Sequence, residues 1–532
     1  MTLKELLFKH KKEQLAIVMM IAVMTLARTG TSMTLVYTLN AIIASDVNEF
    51  IKWTVLDILG WLIFLGLYAY SDVYMERTMQ DMRITVRNHI VENISRANYN
   101  EVKQKELSEY LSWFSVDLDV VMDKGLTSFY ALINSVFTVL FTTIAMFTLH
   151  WVLVVVTFLT LVFVSVVPNL FSKRMKDSTE VMSGKTEQFM SKLQDVLEGY
   201  EVFYAYNIFD KLKQRIMGIS TELKKAKVEY KTTEAVANLA TNLVSVLGQI
   251  ILHLVTAVLI FMGQATIGTV SSVGNLAGMI TNSVASASVK LFQLKSMTTY
   301  FEKFDKLASD EALKSQQLKL NHQLELTDIT LRIQDKPIIE HINFTIQKGG
   351  KYAIVGSSGS GKSTILDFLA GRNTDYTGQI KVDGKELLPS EVVLMRDITS
   401  YTTQRSHIFM DSIGNNISLW NATMQIDDLM STLGIDEFGN KDELLANSGK
   451  KISGGQRQRV ALARSLMYHD RILLLDESTA NLDVESAKKI EQFILTNKDL
   501  TVVMVTHHVY EESRELFDNV LDLDALKKQV SE

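Results

Sequence analysis

The chain contains no cysteine, which excludes disulfide staples, thiolate metal sites and cysteine nucleophiles together. It has only three prolines, Pro168, Pro337 and Pro389, so long helices can run without the lost hydrogen bond that proline imposes. An excess of one charge is also lacking. A formal net charge of −6 over 532 residues offers no basic footprint for nucleic acid. What is abundant is apolar sequence, and it is concentrated before about residue 300. A chain of this length exceeds one hydrophobic core, so at least two domains are expected: a membrane-embedded half, then a soluble one.

Residues Met1 to Gln14 place Lys4, Lys9, Lys11 and Lys12 around Leu3, Leu6, Leu7 and Phe8, the pattern of a short basic amphipathic helix on a membrane surface. The apolar span behind it is too long for a secretory signal and ends in no small-residue cleavage site. Six spans follow, near Leu15–Ala44, Trp53–Val73, Leu126–Leu149, Val152–Phe171, Leu239–Met262 and Ile267–Leu291, each long enough to cross a bilayer core. The first loop carries Asp46 and Glu49 against one lysine, and the turns at His150-Trp151 and Gly263-Gln264 carry no Lys or Arg. The long connections Glu76–Lys124 and Lys173–Glu234 are rich in both, which puts them and both termini in the cytoplasm. They keep helical apolar spacing, as at Ile84, Val91 and Ile94, so spans two to five are expected to continue beyond the bilayer as helices. Residues 15–299 form this transmembrane domain, 300–323 a charged connector and 324–532 the soluble domain.

Polar residues inside a span are costly and need a reason. Thr25, Arg28, Thr29 and Ser32 fall at i, i+3, i+4 and i+7 of the first span, on one helix face. They read either as the polar lining of a substrate path, with Arg28 offered to an anion, or as one half of an ion pair with Asp57 or Asp72.

The soluble half is organised around Gly356-Ser357-Ser358-Gly359-Ser360-Gly361-Lys362-Ser363. The apolar run Tyr352–Val355 precedes it and a helical pattern opens at Thr364. Strand, glycine-rich turn and helix make this a phosphate loop. The backbone N–H groups and the helix N-terminus point at one anion, Lys362 adds a charge for the β- and γ-phosphates, and Ser363 suits Mg²⁺. Roughly 110 residues later, Ile472–Leu475 reads as a buried strand ending in Asp476-Glu477. Asp476 there suits Mg²⁺, through water, and Glu477 suits polarising the attacking water. Ser453-Gly454-Gly455-Gln456 opens a further helix and reads as a second anion nest, so the nucleotide site is expected to be completed across a dimer. Short strands at Leu324–Ile329, Ile342–Ile346, Ile380–Val382 and Val502–Val505 complete an α/β domain.

Ser453-Gly454-Gly455-Gln456-Arg457-Gln458-Arg459 beside Leu473-Leu474-Leu475-Asp476-Glu477 resembles the ATPase of the ABC transporters, with Gln404, Asp483 and His507 following that family's order. The membrane half resembles the exporter-type, or type IV, half-transporter, through Lys105–Asp119 and Leu197–Tyr206. The resemblance implies an all-α six-helix transmembrane domain followed by an α/β ATPase domain, and a partner half-transporter, a copy or a sibling. It implies ATP and Mg²⁺ at two sandwiched sites, each between Lys362 of one chain and Ser453-Gly454-Gly455 of the other. Gln404 would sense Mg²⁺ and the membrane domain, His507 would contact the γ-phosphate, and coupling helices are expected near Asn98–Val102 and Tyr204–Phe209. A bacterial plasma membrane is the expected location, with export of a still unknown substrate the default. Importers and lipid flippases use the same fold. A soluble ABC ATPase is opposed by the six spans, and an ATP-gated channel or regulatory subunit would lack net flux. Two departures stand out. Ile333 occupies the place of the family's adenine-stacking aromatic, and Asn447 that of an acidic residue before the signature. The chain also stops soon after Leu521-Asp522-Leu523.

Overall fold

A computed structural model describes residues 1–306, 317–333, 336–404, 406–445, 452–468, 470–479, 482–506 and 514–526. The chain divides into two compact units, residues 1–93 with 106–306, and residues 94–105 with the described chain beyond 307.

The first unit is helical. A short helix α1 (Leu3–Lys9) is closed by a Thr2/Glu5 capping box. It stops at His10, and Lys11 already belongs to α2 (Lys11–Ile43), so the surface helix is shorter than Met1–Gln14. Then come α3 (Val47–Arg96), α4 (Tyr99–Gln104), which falls in the second unit, and α5 (Leu107–Ser112), α6 (Thr127–Leu149), α7 (Trp151–Glu198), α8 (Tyr200–Ala205), α9 (Phe209–Phe261) and α10 (Thr269–Phe304). The 50 residues of α3 give roughly 75 Å at 1.5 Å each, against a bilayer core of about 30 Å. Among the described residues, four helical stretches, Lys11–Ile43, Val47–Arg96, Leu107–Leu149 and Phe209–Phe261, are long and apolar enough to cross a membrane, and the apolar residues Trp151–Val164 of α7 add to them. Asn275, Asn282, Ser283 and Ser286 make α10 less apolar.

Small and polar residues pair these helices. Thr25 of α2 donates to Asn134 Oδ1 of α6 at 3.1 Å, and Asn275 Nδ2 of α10 donates to Ser32 Oγ at 2.7 Å. Gly248 of α9 lies so close to α7 that a Cβ would fall 1.9 Å from Thr160 Cγ2, so glycine is what permits this approach. Between α5 and α6 the helix widens into π turns at Trp113–Asp117 and Val120–Leu126. There the buried Asp117 accepts from Lys303 Nζ at 2.6 Å.

The second unit holds two sheets. One is antiparallel, in the order β2 (Lys336–Gln347), β1 (Gln323–Ile333), β4 (Tyr376–Val382), β5 (Lys385–Glu386). Its strands β1, β2 and β4 run longer than the apolar runs indicate, and Pro337 is tolerated because β2 is an edge. The other is parallel, in the order β6 (Thr399–Thr402), β7 (Ile472–Asp476), β8 (Thr501–Val505), β3 (Lys351–Val355), β9 (Asn519–Asp522). Helix α11 (Lys362–Leu369) follows β3, and α12 (Met395–Ile398), α13 (Ile413–Ser418), α14 (Asp427–Thr432), α15 (Gly454–Leu466) and α16 (Val484–Thr496) complete the unit. Strand β7 is buried on both faces. Leu474 enters one core with Ile354, Ile365 and Phe368, while Leu473 and Leu475 enter another with Val460, Leu462 and Ile490. Burial on both sides is why these strands read as unbroken apolar runs.

Candidate functional site

The turn from β3 into α11 lies at the C-terminal edge of the parallel sheet, where α/β folds place ligands. Gly361 is the N-cap of α11, with φ +108°, and a Cβ there would lie 2.6 Å from Ile339 Cδ1. Glycine is therefore required both by the backbone and by the close approach. The buried Lys362 bends its ammonium over the loop, donating to the carbonyls of Gly356 and Ser357 at 2.8 Å each. Ser360 Oγ is buried without a hydrogen-bond partner. A curled loop, a lysine held over it and an orphaned hydroxyl fit a phosphate chain.

Strand β7 delivers Asp476 to the same place, where its Oδ2 accepts from Ser363 Oγ at 3.2 Å and from the Tyr401 hydroxyl at 3.3 Å. Burial pushes the Asp476 carboxyl above the usual carboxylate range, and those two hydrogen bonds pull it back. Among the described residues no three His, Cys, Asp or Glu converge on a metal position. A cation beside Ser363 and Asp476 would thus take its remaining oxygens from the Gln404 amide, phosphate and water. Glu477 sits in the left-handed region at φ +49°, a strained conformation for a side chain this long. Its N–H is held by Val505 O at 3.2 Å, and its Oε2 accepts from Gln404 Nε2 at 2.9 Å. Gln404 follows β6, so adjacent parallel strands bring these two side chains together.

Ser453 is the N-cap of α15. Its hydroxyl accepts from Gln456 N at 3.2 Å while Gln456 Oε1 accepts from Ser453 N at 2.8 Å, a reciprocal capping box. Among the described residues no hydrogen bond joins Ser453, Gly454, Gly455 or Gln456 to the phosphate loop, although Gln458 of the same helix donates to Glu477 O at 3.5 Å. His507, Asn447, Ala480 and Asn481 lie outside the described residues. Ile333 is half exposed at the end of β1, on a cavity of about 520 Å³ that Thr364 also lines.

In the helical unit, Thr25 and Arg28 line a cavity of about 410 Å³ with Asn134, Thr138, Asn275 and Asn282. Arg28 also borders an adjoining cavity of about 430 Å³ whose walls include Ile21, Met75, Met79, Tyr68 and Tyr130. Thr29 and Ser32 are buried and line neither cavity. Thr29 donates to Thr25 O at 2.9 Å, and Ser32 takes part in the contact with α10. Their face is a helix contact, and Arg28 stands at its margin, about 60° around the helix from Thr25. Arg28 pairs with neither Asp57 nor Asp72 among the described residues. Its guanidinium lies 5.6 Å from the Phe64 ring centre, and Asp57 accepts from Thr34.

Three contributors to the nucleotide site carry no motif. Tyr401 reaches Asp476, Arg372 lies 4.4 Å from the Tyr401 ring centre, and Asp524 accepts from Ser357 N at 2.7 Å and Ser357 Oγ at 2.9 Å. Only Tyr401, three residues before Gln404, had a neighbour that could have flagged it.

The family model for the ABC transporter transmembrane region matches residues 15–284, and that for the ABC transporter matches residues 339–480. An ATP-dependent lipid A-core flippase of Photobacterium profundum is 26% identical over 377 residues, 67% of this chain and 63% of that protein. One from Mannheimia succiniciproducens is 24% identical over 504 residues, 90% of this chain and 84% of that protein. A solved structure of a bacterial Atm1-family ABC exporter with ATP bound covers 98% of this chain and 96% of its own, at TM-score 0.78 and 18% identity, a likeness of fold. The transmembrane match alone spans half of the chain. The chain therefore belongs to the ABC transporters, as an exporter-type half-transporter with one membrane region fused to one ATPase domain.

Proposed function

We propose that this chain pairs with a second half-transporter, hydrolyses ATP between the two ATPase domains, and moves an amphiphile with an anionic headgroup outward across a bacterial plasma membrane. The carrying observation is the meeting of Asp476 with Ser363 and of Glu477 with Gln404 at one end of the parallel sheet. In this reading the loop from Gly356 to Ser363, with Thr364 behind it, cradles the phosphates, and Lys362 turns from its carbonyl partners to the β- and γ-oxygens. Ser363, Asp476 and Gln404 would hold Mg²⁺, which would supply charge to neutralise the phosphates. Glu477 orients the attacking water, with Gln404 steering its carboxylate. Ser453, Gly454, Gly455 and Gln456 serve the nucleotide of the opposite chain, and His507 takes the γ-phosphate contact that the family resemblance implies. The ATPase domain and both termini face the cytoplasm, a placement the Lys and Arg of the long connections support.

The substrate class rests on Arg28. It stands between a chamber lined largely by asparagine, serine and threonine and one whose aliphatic and aromatic walls also carry Asp72 and Glu76. A headgroup with negative charge fits the first, away from Asp72 and Glu76, and acyl chains fit the apolar wall of the second formed by Ile21, Met75, Met79, Tyr68 and Tyr130, in line with the flippase descriptions of the relatives. The test is ATP-driven movement of fluorescent phosphatidylglycerol and phosphatidylcholine in proteoliposomes. Faster movement of the anionic lipid, lost in Arg28→Ala while basal ATPase persists, supports the reading. Equal movement of both lipids, or none beside intact ATPase, overturns the substrate class.

A further inference from the structure

Residues 94–105 continue directly from the membrane-embedded α3 yet fold with the ATPase unit. One cavity of about 560 Å³ and another of about 520 Å³ are each lined by Tyr99 and Arg372. The Tyr99–Arg372 pair therefore stands as a pillar between two open spaces, with the Arg372 guanidinium 4.9 Å from the Tyr99 ring centre. The same guanidinium lies 4.4 Å from the Tyr401 ring centre and 3.3 Å from Asp367 Oδ1. Its backbone N–H donates to Asp367 O at 2.8 Å, which fixes the residue at the end of α11. Tyr401 in turn donates to Asp476 Oδ2, the oxygen that also receives Ser363. An unbroken line of contacts thus runs from the inserted segment to the carboxylate at the end of β7.

We infer that Arg372 is a positioning residue for hydrolysis: clasped between Tyr99 of the inserted segment and Tyr401 of β6, it aims the Tyr401 hydroxyl at Asp476. A planar guanidinium can lie against aromatic rings while its edge pairs with a carboxylate, and this site supplies both. Arg372 and the two tyrosines make no contact with the phosphates or the cation in this scheme. They decide how firmly one oxygen of Asp476 is held. Because Tyr99 lies on the segment that continues α3, displacement of that segment reaches Asp476 by a route separate from Gln404, which meets Glu477. The inference rests on the reading that Asp476 holds Mg²⁺.

The test is ATPase activity of the full-length protein in lipid nanodiscs, titrated with Mg²⁺ at saturating ATP. Tyr99→Ala, Arg372→Ala and Tyr401→Phe should each raise the Mg²⁺ concentration for half-maximal turnover, about three- to tenfold, the worth of one hydrogen bond. ATP binding in Mg²⁺-free buffer should stay within about twofold of wild type, since no phosphate contact is removed. Tyr99→Phe keeps the ring and should keep the wild-type Mg²⁺ curve. Tyr401→Phe deletes one oxygen and Tyr99 is partly exposed, so both remain informative if Arg372→Ala folds poorly. An unchanged Mg²⁺ curve in Tyr99→Ala and Tyr401→Phe overturns the inference, as does an equal shift in Tyr99→Phe and Tyr99→Ala. Asp476→Asn separates the two layers. A shift there alone sinks only the relay, whereas no shift there sinks the reading of Asp476 itself.

Discussion

Adding one methyl group to the phosphate loop, Gly361→Ala, measures how much the cradle depends on its shape. Two costs can be assigned. The backbone at φ +108° lies where an L side chain pays about 1–2 kcal/mol. The new Cβ would also sit 2.6 Å from Ile339 Cδ1 and 2.8 Å from Ile339 Cγ1, and Ile339 is buried, so overpacking adds about 1–3 kcal/mol. Without nucleotide the loop can relax away from both. Binding ATP restores the shape, so the sum of about 2–5 kcal/mol appears as lost affinity, at least roughly thirtyfold. Equilibrium binding of a fluorescent ATP analogue to the detergent-purified protein reads this directly. The double variant Gly361→Ala/Ile339→Ala removes both crowding atoms and should recover the packing share only, leaving about 1–2 kcal/mol of backbone cost. Binding by Gly361→Ala within about threefold of wild type would refute the argument. Full recovery in the double variant would refute the backbone half of it.

Three further outcomes are expected. Glu477→Gln keeps a carbonyl oxygen for Gln404 and the N–H bond to Val505, so only the charge is lost; turnover should fall about 10²–10⁴-fold with ATP binding intact, and near-wild-type turnover would remove Glu477 from the role. Ile333→Tyr should tighten ATP by about 1 kcal/mol, and the natural protein should discriminate weakly between ATP and GTP, which competition binding checks; a strong natural preference for ATP would count against both. The hydrogen bonds to Asp476 favour its charged form, so Tyr401→Phe should raise its pKa, keep it protonated to higher pH and move the acid limb of the Mg²⁺-ATPase profile upward. An acid limb that stays put or moves down contradicts the geometry.

The parts of this molecule legible in the sequence are those where one physical demand fills consecutive positions. The phosphate loop and strand β7 are such cases, because a curled backbone needs glycines together and a strand buried on both faces needs unbroken apolar residues. Strands β6 and β9 lie at the two edges of the parallel sheet and carry no such run, so nothing marked Thr399–Thr402 or Asn519–Asp522 beforehand. The second short helix expected to couple the domains is at Tyr200–Ala205 rather than Tyr204–Phe209, because Asn207 turns the chain at φ +52° and Phe209 already begins α9. Asparagine tolerates that conformation, but an isolated asparagine is too common to announce it. In the first long helix the spacing of Thr25, Arg28, Thr29 and Ser32 gave a face without its occupant. Tertiary packing assigns Thr29 and Ser32 to neighbouring helices and leaves Arg28 facing open space. Tyr99, Arg372 and Tyr401 come from three distant parts of the chain, and only the fold makes them neighbours.

The capping of α15 bears on what its first residue can recognise. Ser453 Oγ accepts a hydrogen bond from Gln456 N, and that bond uses a lone pair and leaves the hydroxyl proton uncommitted among the described residues. The side chain thus serves its own helix as an acceptor and an outside group as a donor, in one atom. Aspartate would cap the helix as well as serine does but has no proton to give and would repel an anion; alanine would fail on both counts. Scaffold and selectivity coincide in the serine, and the helix is preorganised for negative charge before any arrives.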